Sequence, residues 1–170
     1  MGELLELAPE VHPWVTRRWV VRGDPGSGKT TLLRHLAARL AEESPPRWVP
    51  VFQSLPVLLR KREFLLDRIE RQMGRADHRG MAAVLEREGQ EGRLLLLLDG
   101  LDEVEDREDA ETLLRQLSER WPRTPLVVTT RPIGYRRFDA AFRELELQPF
   151  DRERRCCSSN VRRLVSWHGT

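Results

Sequence analysis

Apolar and polar positions divide the 170-residue chain into short apolar runs and longer amphipathic stretches. Strands are predicted at residues 18–22, 48–52 and 126–130 from their β-branched and aromatic side chains, with a further short strand at 145–147. The run of five leucines at 94–98 is typical of a central strand that is covered on both faces. The chain therefore holds five strand candidates.

Helical spacing separates these strands. Apolar side chains recur every three or four residues after the glycine-rich stretch at 23–28, which predicts a helix that ends near Glu43. Further helices are predicted at 63–73, 79–88 and 110–117. Strands that alternate with helices predict an α/β fold of three layers, with a mostly parallel five-stranded sheet between helices on both faces. Pro50 favours an edge position for the second strand, because proline cannot donate a hydrogen bond to a neighbouring strand.

Composition narrows the class of protein. The length suits one domain, and 33% charged residues nearly cancel to a net charge of +2, which gives no reason to invoke nucleic acid or a membrane surface. The N-terminus lacks the pattern of a signal peptide, and the longest apolar run is far short of the ~20 residues of a membrane helix. Cys156 and Cys157 do not make a disulfide framework, and the histidines are too scattered to bind a metal. We expect a cytoplasmic protein.

A phosphate-binding loop follows the first strand. The pattern G-x-x-x-x-G-K-[ST] (Walker A) is met between Gly23 and Thr30, before an amphipathic helix. Lys29 would reach the β- and γ-phosphates, and the Thr30 hydroxyl would bind Mg²⁺. The alternative is a glycine-rich turn before an ordinary helix. The predicted nucleotide-binding residues are Gly23, Asp24, Pro25, Gly26, Ser27, Gly28, Lys29, Thr30 and Thr31.

Acidic residues follow the leucine run. Asp99 ends that strand, where a carboxylate can help to hold Mg²⁺. Asp102 and Glu103 come soon after, and either could orient or deprotonate the attacking water. The alternative is that the acids only cap the next helix.

Arg131 closes the strand at 126–130 and would point to the same edge of the sheet. Its guanidinium could contact the γ-phosphate and stabilise charge in the transition state. A solvated arginine is the alternative in a chain with 29 basic residues, of which only Lys29 and Lys61 are lysine. Thr129 and Thr130 are interpreted as ordinary sheet residues.

Three segments, GDPGSGKTT, LLLLLDGLDEVED and LVVTTRPIGY, together resemble the NACHT NTPase domains among the signal-transducing ATPases with numerous domains. The resemblance covers roughly residues 15–153. It implies that Lys29 and Thr30 bind phosphate and Mg²⁺, that Asp99 is the metal-binding acid and that Arg131 is the sensor arginine. Asp102 is the favoured catalytic acid, with Glu103 second.

The resemblance also implies a function. NACHT domains bind ATP or GTP with Mg²⁺, hydrolyse it slowly and control oligomerisation that activates an attached effector. Bacterial members are associated with defence against phage, and animal members with innate immunity. The partners implied are the nucleotide, further domains of a longer protein and other copies of the chain.

Two boundaries are predicted, which divide the chain into three segments. Residues 1–17 form a lead-in, residues 18–150 the nucleotide-binding domain, and residues 151–170 a divergent tail with little periodicity. The helical and winged-helix modules of the family do not fit into the remaining residues, which suggests a truncation or a change of reading frame.

Two other functions remain open from the sequence. One is a stand-alone P-loop enzyme, such as an AAA-type ATPase or a small kinase. The other is a degenerate interaction module that does not hydrolyse nucleotide.

Overall fold

A computed structural model describes residues 18–60, 80–133, 135–137, 139–147 and 165–167, the last as backbone only. The strands are β1 (Arg18–Arg22), β2 (Val49–Ser54), β3 (Leu94–Asp99), β4 (Leu126–Thr130), β5 (Arg143–Leu147) and β6 (Val165–Trp167). The helices are α1 (Lys29–Ala41), α2 (Leu55–Arg60), α3 (Met81–Glu91) and α4 (Arg107–Arg120), with a 3₁₀ helix at Leu101–Glu103.

The strands form one sheet in the order β2-β3-β4-β1-β5-β6. Strands β1 to β5 are parallel to one another, which confirms the predicted five-stranded parallel sheet. β2 lies at an edge, as Pro50 indicates. β6 pairs antiparallel with β5 and was not predicted, because three residues are too short to show a period.

The leucine run supplies both faces of the sheet. Leu94, Leu96 and Leu98 pack into the core beneath α2, α3 and α4, while Leu95 and Leu97 pack into the core beneath α1. Successive strand residues point to opposite faces, so a strand with helices on both sides must be apolar throughout. The three-layer prediction is confirmed.

The helices differ from the predictions mainly at their ends. α1 buries Leu33, Leu36 and Leu40 and ends at Ala41, two residues before the predicted end. The helix predicted at 79–88 spans Met81–Glu91, and the one predicted at 110–117 spans Arg107–Arg120. The helix predicted at 63–73 lies outside the described residues.

The sequence interpretation missed α2. This helix has six residues, too few for a helical period to be visible, and Pro56 at its second position suggests a loop. Proline is nevertheless tolerated in the first turn of a helix, where backbone N–H groups have no partner within the helix. Within the described segments, no helix has the length and apolar character that crossing a membrane requires.

Side chains at the amino ends of the strands join α3 to its surroundings. The buried Glu88 carboxylate accepts hydrogen bonds from Arg93 at 2.7 and 2.9 Å, and these bonds lower the pKa of Glu88. Gly89 packs so closely on the Trp121 ring that a Cβ would lie 2.6 Å from it. The Thr124 hydroxyl donates to the Gly89 carbonyl at 3.0 Å. These contacts lie at the edge opposite to the predicted nucleotide site.

Candidate functional site

The carboxyl ends of β1, β3 and β4 bring the three polar motifs together. β4 lies between β1 and β3, and the three strands run parallel. The phosphate loop follows β1, the acidic segment follows β3, and Arg131 follows β4. The Gly23 N–H donates to the Thr130 carbonyl at 3.2 Å and so ties the start of the loop to the end of β4.

Glycines shape the loop between β1 and α1. Gly26 and Gly28 have φ angles of 76° and 91°, a region that other residues rarely adopt. Gly23 is needed for space, because a Cβ there would lie 2.6 Å from Ser27 Oγ and 3.2 Å from Leu147 Cβ. Ser27 is a buried residue of this loop, and its N–H donates to the Asp24 carbonyl at 3.0 Å. The glycines therefore let the backbone turn tightly.

Helix α1 begins without a side-chain cap. Gly28 occupies the N-cap position, no side chain accepts from the first N–H groups, and the first turn has no acidic residue. Helix α4 is capped in the ordinary way, because the Asp106 carboxylate accepts from the N–H groups of Glu108 and Asp109. The first turn of α1 therefore keeps N–H donors and the positive end of the helix dipole for an anion such as phosphate.

Lys29 lies across this loop. Its Nζ donates to the carbonyls of Gly23 at 2.6 Å and Asp24 at 3.0 Å. Asp24, Pro25 and Gly26 are exposed at the tip of the loop, and Thr31 is exposed in the first turn of α1. An ammonium group beside free N–H donors is suited to a polyphosphate.

Thr30 and Asp99 are in direct contact although 69 residues separate them. The Thr30 hydroxyl donates to Asp99 Oδ2 at 2.7 Å. A hydroxyl and a carboxylate are hard oxygen ligands, which Mg²⁺ prefers, and protein sites often bind it through one or two such groups together with phosphates and water. The hydroxyl of Thr30 and the carboxylate of Asp99 are therefore a donor pair that fits Mg²⁺ bound together with a nucleotide.

Thr129 is also bonded to Asp99, which the sequence interpretation missed. Its hydroxyl donates to Asp99 Oδ1 at 2.5 Å and accepts from the Gly100 N–H at 3.0 Å. Alternation indicates only that Asp99 and Thr129 share a face, because each lies two residues after a core residue beneath α1, and the contact also requires that β3 and β4 be neighbours. Thr129 is therefore both a sheet residue and part of the site.

The second acidic pair lies in the 3₁₀ helix that follows β3. Asp102 and Glu103 lie in the first turn of this 3₁₀ helix, and a different acid, Asp106, caps α4. The Asp102 side chain is 16% exposed, and its carboxylate binds Arg131. Glu103 has a side chain that is 59% exposed, and it lines a cavity of about 310 Å³ with Pro56 and Asp106. The two acids therefore occupy different surroundings.

Arg131 reaches back to the acidic segment. Its backbone N–H donates to Asp102 Oδ1 at 3.0 Å, its Nε lies 2.8 Å from Asp102 Oδ2, and an outer nitrogen lies 3.7 Å from Glu103 Oε1. The guanidinium side chain remains 47% exposed. In this structure Arg131 is thus ion-paired with Asp102 and also about half exposed to solvent.

Tyr135 anchors the segment after Arg131. Its ring lies 5.9 Å from the guanidinium carbons of both Arg22 and Arg107. Burial, with the nearby charge of Glu144, raises the pKa of Tyr135 to about 12, so the phenol is neutral at physiological pH. Cation–π contacts of this kind stabilise by about 0.5–1 kcal/mol each. They hold the chain that continues from Arg131 against β1.

Comparisons with known proteins found a similar solved structure and a family model. The solved structure of C. elegans PCH-2 is similar to the chain at 16% sequence identity and a TM-score of 0.48, and the similarity covers 84% of this chain and 40% of PCH-2. The chain thus spans less than half of that protein. No curated protein matches the chain. The family model of the NACHT domain matches residues 17–163, so the chain belongs to the NACHT domain family of nucleotide-binding NTPases.

Proposed function

We propose that the chain binds ATP with Mg²⁺ and hydrolyses it slowly, as a nucleotide-controlled signalling switch. One observation carries the proposal: the 2.7 Å hydrogen bond from Thr30 to Asp99 joins the phosphate loop to the acid that follows β3. This bond supports the proposal, because it joins the loop that would bind phosphate to the carboxylate that would bind Mg²⁺.

Each residue has a role in this proposal. Lys29 and the N–H groups of the loop would bind the phosphates, and Thr30 and Asp99 would hold Mg²⁺, which would supply positive charge to neutralise the phosphates. Asp102 orients the attacking water and accepts its proton, with Glu103 as the second choice. Arg131 contacts the γ-phosphate.

The switch resides in the pair of Arg131 and Asp102. A guanidinium that can pair with a carboxylate or with a phosphate offers two arrangements of the segment after β4. A ligand shifts such an equilibrium only by its different affinity for the two states. A triphosphate would favour one arrangement and a diphosphate the other. In a longer protein, the arrangement that is favoured would control self-association or contact with partner domains. In bacteria the attached effector would act in defence against phage.

The proposal is tested by calorimetric titration with ATP, GTP, ADP and excess EDTA controls. We expect saturable binding of one nucleotide per chain that is tighter with Mg²⁺ than with EDTA, and the ATP and GTP titrations identify the preferred purine. Multiple turnover on an added acceptor molecule would instead identify a small kinase. Binding that is absent with every nucleotide would identify an interaction module.

A further inference from the structure

Thr129 contacts the candidate site although it belongs neither to the phosphate loop nor to the acidic segment after β3. Leu97 and Val127, two residues before Asp99 and Thr129, pack into the core beneath α1. Alternation along β3 and β4 puts Asp99 and Thr129 on that same face, where α1 begins with Thr30 close by. The Asp99 carboxylate therefore lies between two hydroxyl groups, one from α1 and one from β4.

The hydrogen bonds of Thr129 fix the direction of its proton. The hydroxyl oxygen accepts from the Gly100 N–H at 3.0 Å, so its single proton is directed at Asp99 Oδ1, 2.5 Å away. Thr129 is 0% exposed, and water cannot replace either bond. The side chain of Asp99 and the backbone that follows it are thus both held by one hydroxyl group.

We propose that Thr129 is a positioning residue that orients the Asp99 carboxylate toward Mg²⁺. This inference rests on the proposed function. Each oxygen of Asp99 accepts one hydroxyl bond, and the remaining lone pairs stay available for Mg²⁺ or its bound water. Partners that lie behind a metal ligand hold its orientation, and their loss commonly weakens metal binding by about 10–100-fold.

The neighbouring Thr130 provides a matched control. It is as buried as Thr129, at 2% exposed, and lies on the opposite face of the same strand. Its hydroxyl donates to the carbonyl of Arg131 at 3.3 Å. Thr130→Val therefore imposes the same chemical change at the same depth without touching Asp99.

The first experiment titrates Mg²⁺ against the full chain at a fixed ATP concentration and follows nucleotide binding. Thr129→Val should raise the Mg²⁺ concentration at half-saturation by about 10-fold or more and leave ATP affinity in EDTA within about twofold. Thr129→Ser keeps the hydroxyl and should remain within about twofold of the wild type, as should Thr130→Val. Thr129→Ala carries the same expectation as Thr129→Val and serves if the valine variant does not fold.

The second experiment needs no nucleotide. Amide hydrogen exchange at Gly100 should accelerate by about 10-fold or more in Thr129→Val, which removes the acceptor, and should be unchanged in Thr129→Ser and Thr130→Val. A Mg²⁺ midpoint in Thr129→Val within twofold of the wild type would overturn the inference while the wild type still binds Mg·ATP. A wild-type chain that binds no ATP would overturn the proposed function as well, whatever the exchange rate of Gly100.

Discussion

Arg131 is bound to Asp102 by both its backbone and its side chain. The backbone N–H donates to Oδ1 at 3.0 Å, and Nε lies 2.8 Å from Oδ2. The residue proposed to contact the γ-phosphate and the residue proposed to act on water therefore hold each other. Arg131 directly follows β4, and Asp102 lies in the 3₁₀ helix that follows the neighbouring strand β3.

Arg131→Ala should remove the preference for triphosphate. A hydrogen bond to a charged group contributes about 1.5–3 kcal/mol, so ATP affinity should fall by about 10–100-fold while ADP affinity stays within threefold. Calorimetric titration with each nucleotide measures the ratio. The exposed Arg136 serves as a control, because Arg136→Ala removes the same charge five residues later. Equal loss of affinity for ATP and ADP would place Arg131 away from the γ-phosphate.

Asp102→Asn should slow hydrolysis more than binding. General base catalysis contributes about 10²–10⁴-fold, so phosphate release at saturating ATP should fall by at least about 100-fold, while ATP binding is retained. Glu103→Gln should lower the rate by less than about 10-fold, because its side chain is 59% exposed. Slower phosphate release in Glu103→Gln than in Asp102→Asn would instead identify Glu103 as the general base.

Gly23→Ala should disturb the phosphate loop through Ser27. The added Cβ would lie 2.6 Å from Ser27 Oγ, so the loop must shift, and we expect ATP affinity to fall by about 10-fold, the cost of a displacement worth about 1.4 kcal/mol. Removing Oγ in Gly23→Ala/Ser27→Ala should recover part of the loss, and Ser27→Ala alone should bind normally. Additive effects of the two substitutions would show that the contact is not the cause.

Glu88→Gln should destabilise the fold at neutral pH. The hydrogen bonds from Arg93 hold the pKa of Glu88 below its ordinary value of 4.5, so the carboxylate stabilises the folded state above that pH, and the stabilisation is lost as pH falls through the lowered pKa. We expect a loss of about 1–3 kcal/mol at pH 7.

Urea unfolding at pH 7 and at acidic pH measures this dependence. The difference between Glu88→Gln and the wild type should shrink as pH falls below 4.5. Glu91→Gln removes the more exposed partner of Arg93 and should change stability by less than about 1 kcal/mol at pH 7. A pH-independent difference for Glu88→Gln would indicate a packing effect instead.

Much of the fold follows from local pattern. The leucine run at 94–98 predicted a strand buried on both faces, and Pro50 predicted an edge, because each reflects a physical constraint within a few residues. α2 and β6 were not predicted, since six and three residues are too short to show a period. Family resemblance pointed to Lys29, Thr30, Asp99 and Arg131 as neighbours in the site, and the structure brings them together at one sheet edge.

The contacts within the site could not be predicted in the same way. The role of Thr129 depends on the pairing of β3 with β4, and the pairing of Arg131 with Asp102 depends on the turn made by the 3₁₀ helix. Both are consequences of strand order. The local sequence patterns do not indicate that β3 and β4 are neighbours in the sheet.

The central claim is best tested by measuring ATP binding and phosphate release together for the wild type and Lys29→Ala. We predict that the wild type binds one ATP with Mg²⁺ and releases phosphate at no more than about one per minute, within the range of unassisted NTPase switches. Lys29→Ala should lose both ATP binding and phosphate release, because the substitution removes the ammonium group beside the uncapped start of α1. Unchanged ATP affinity in Lys29→Ala would contradict the account.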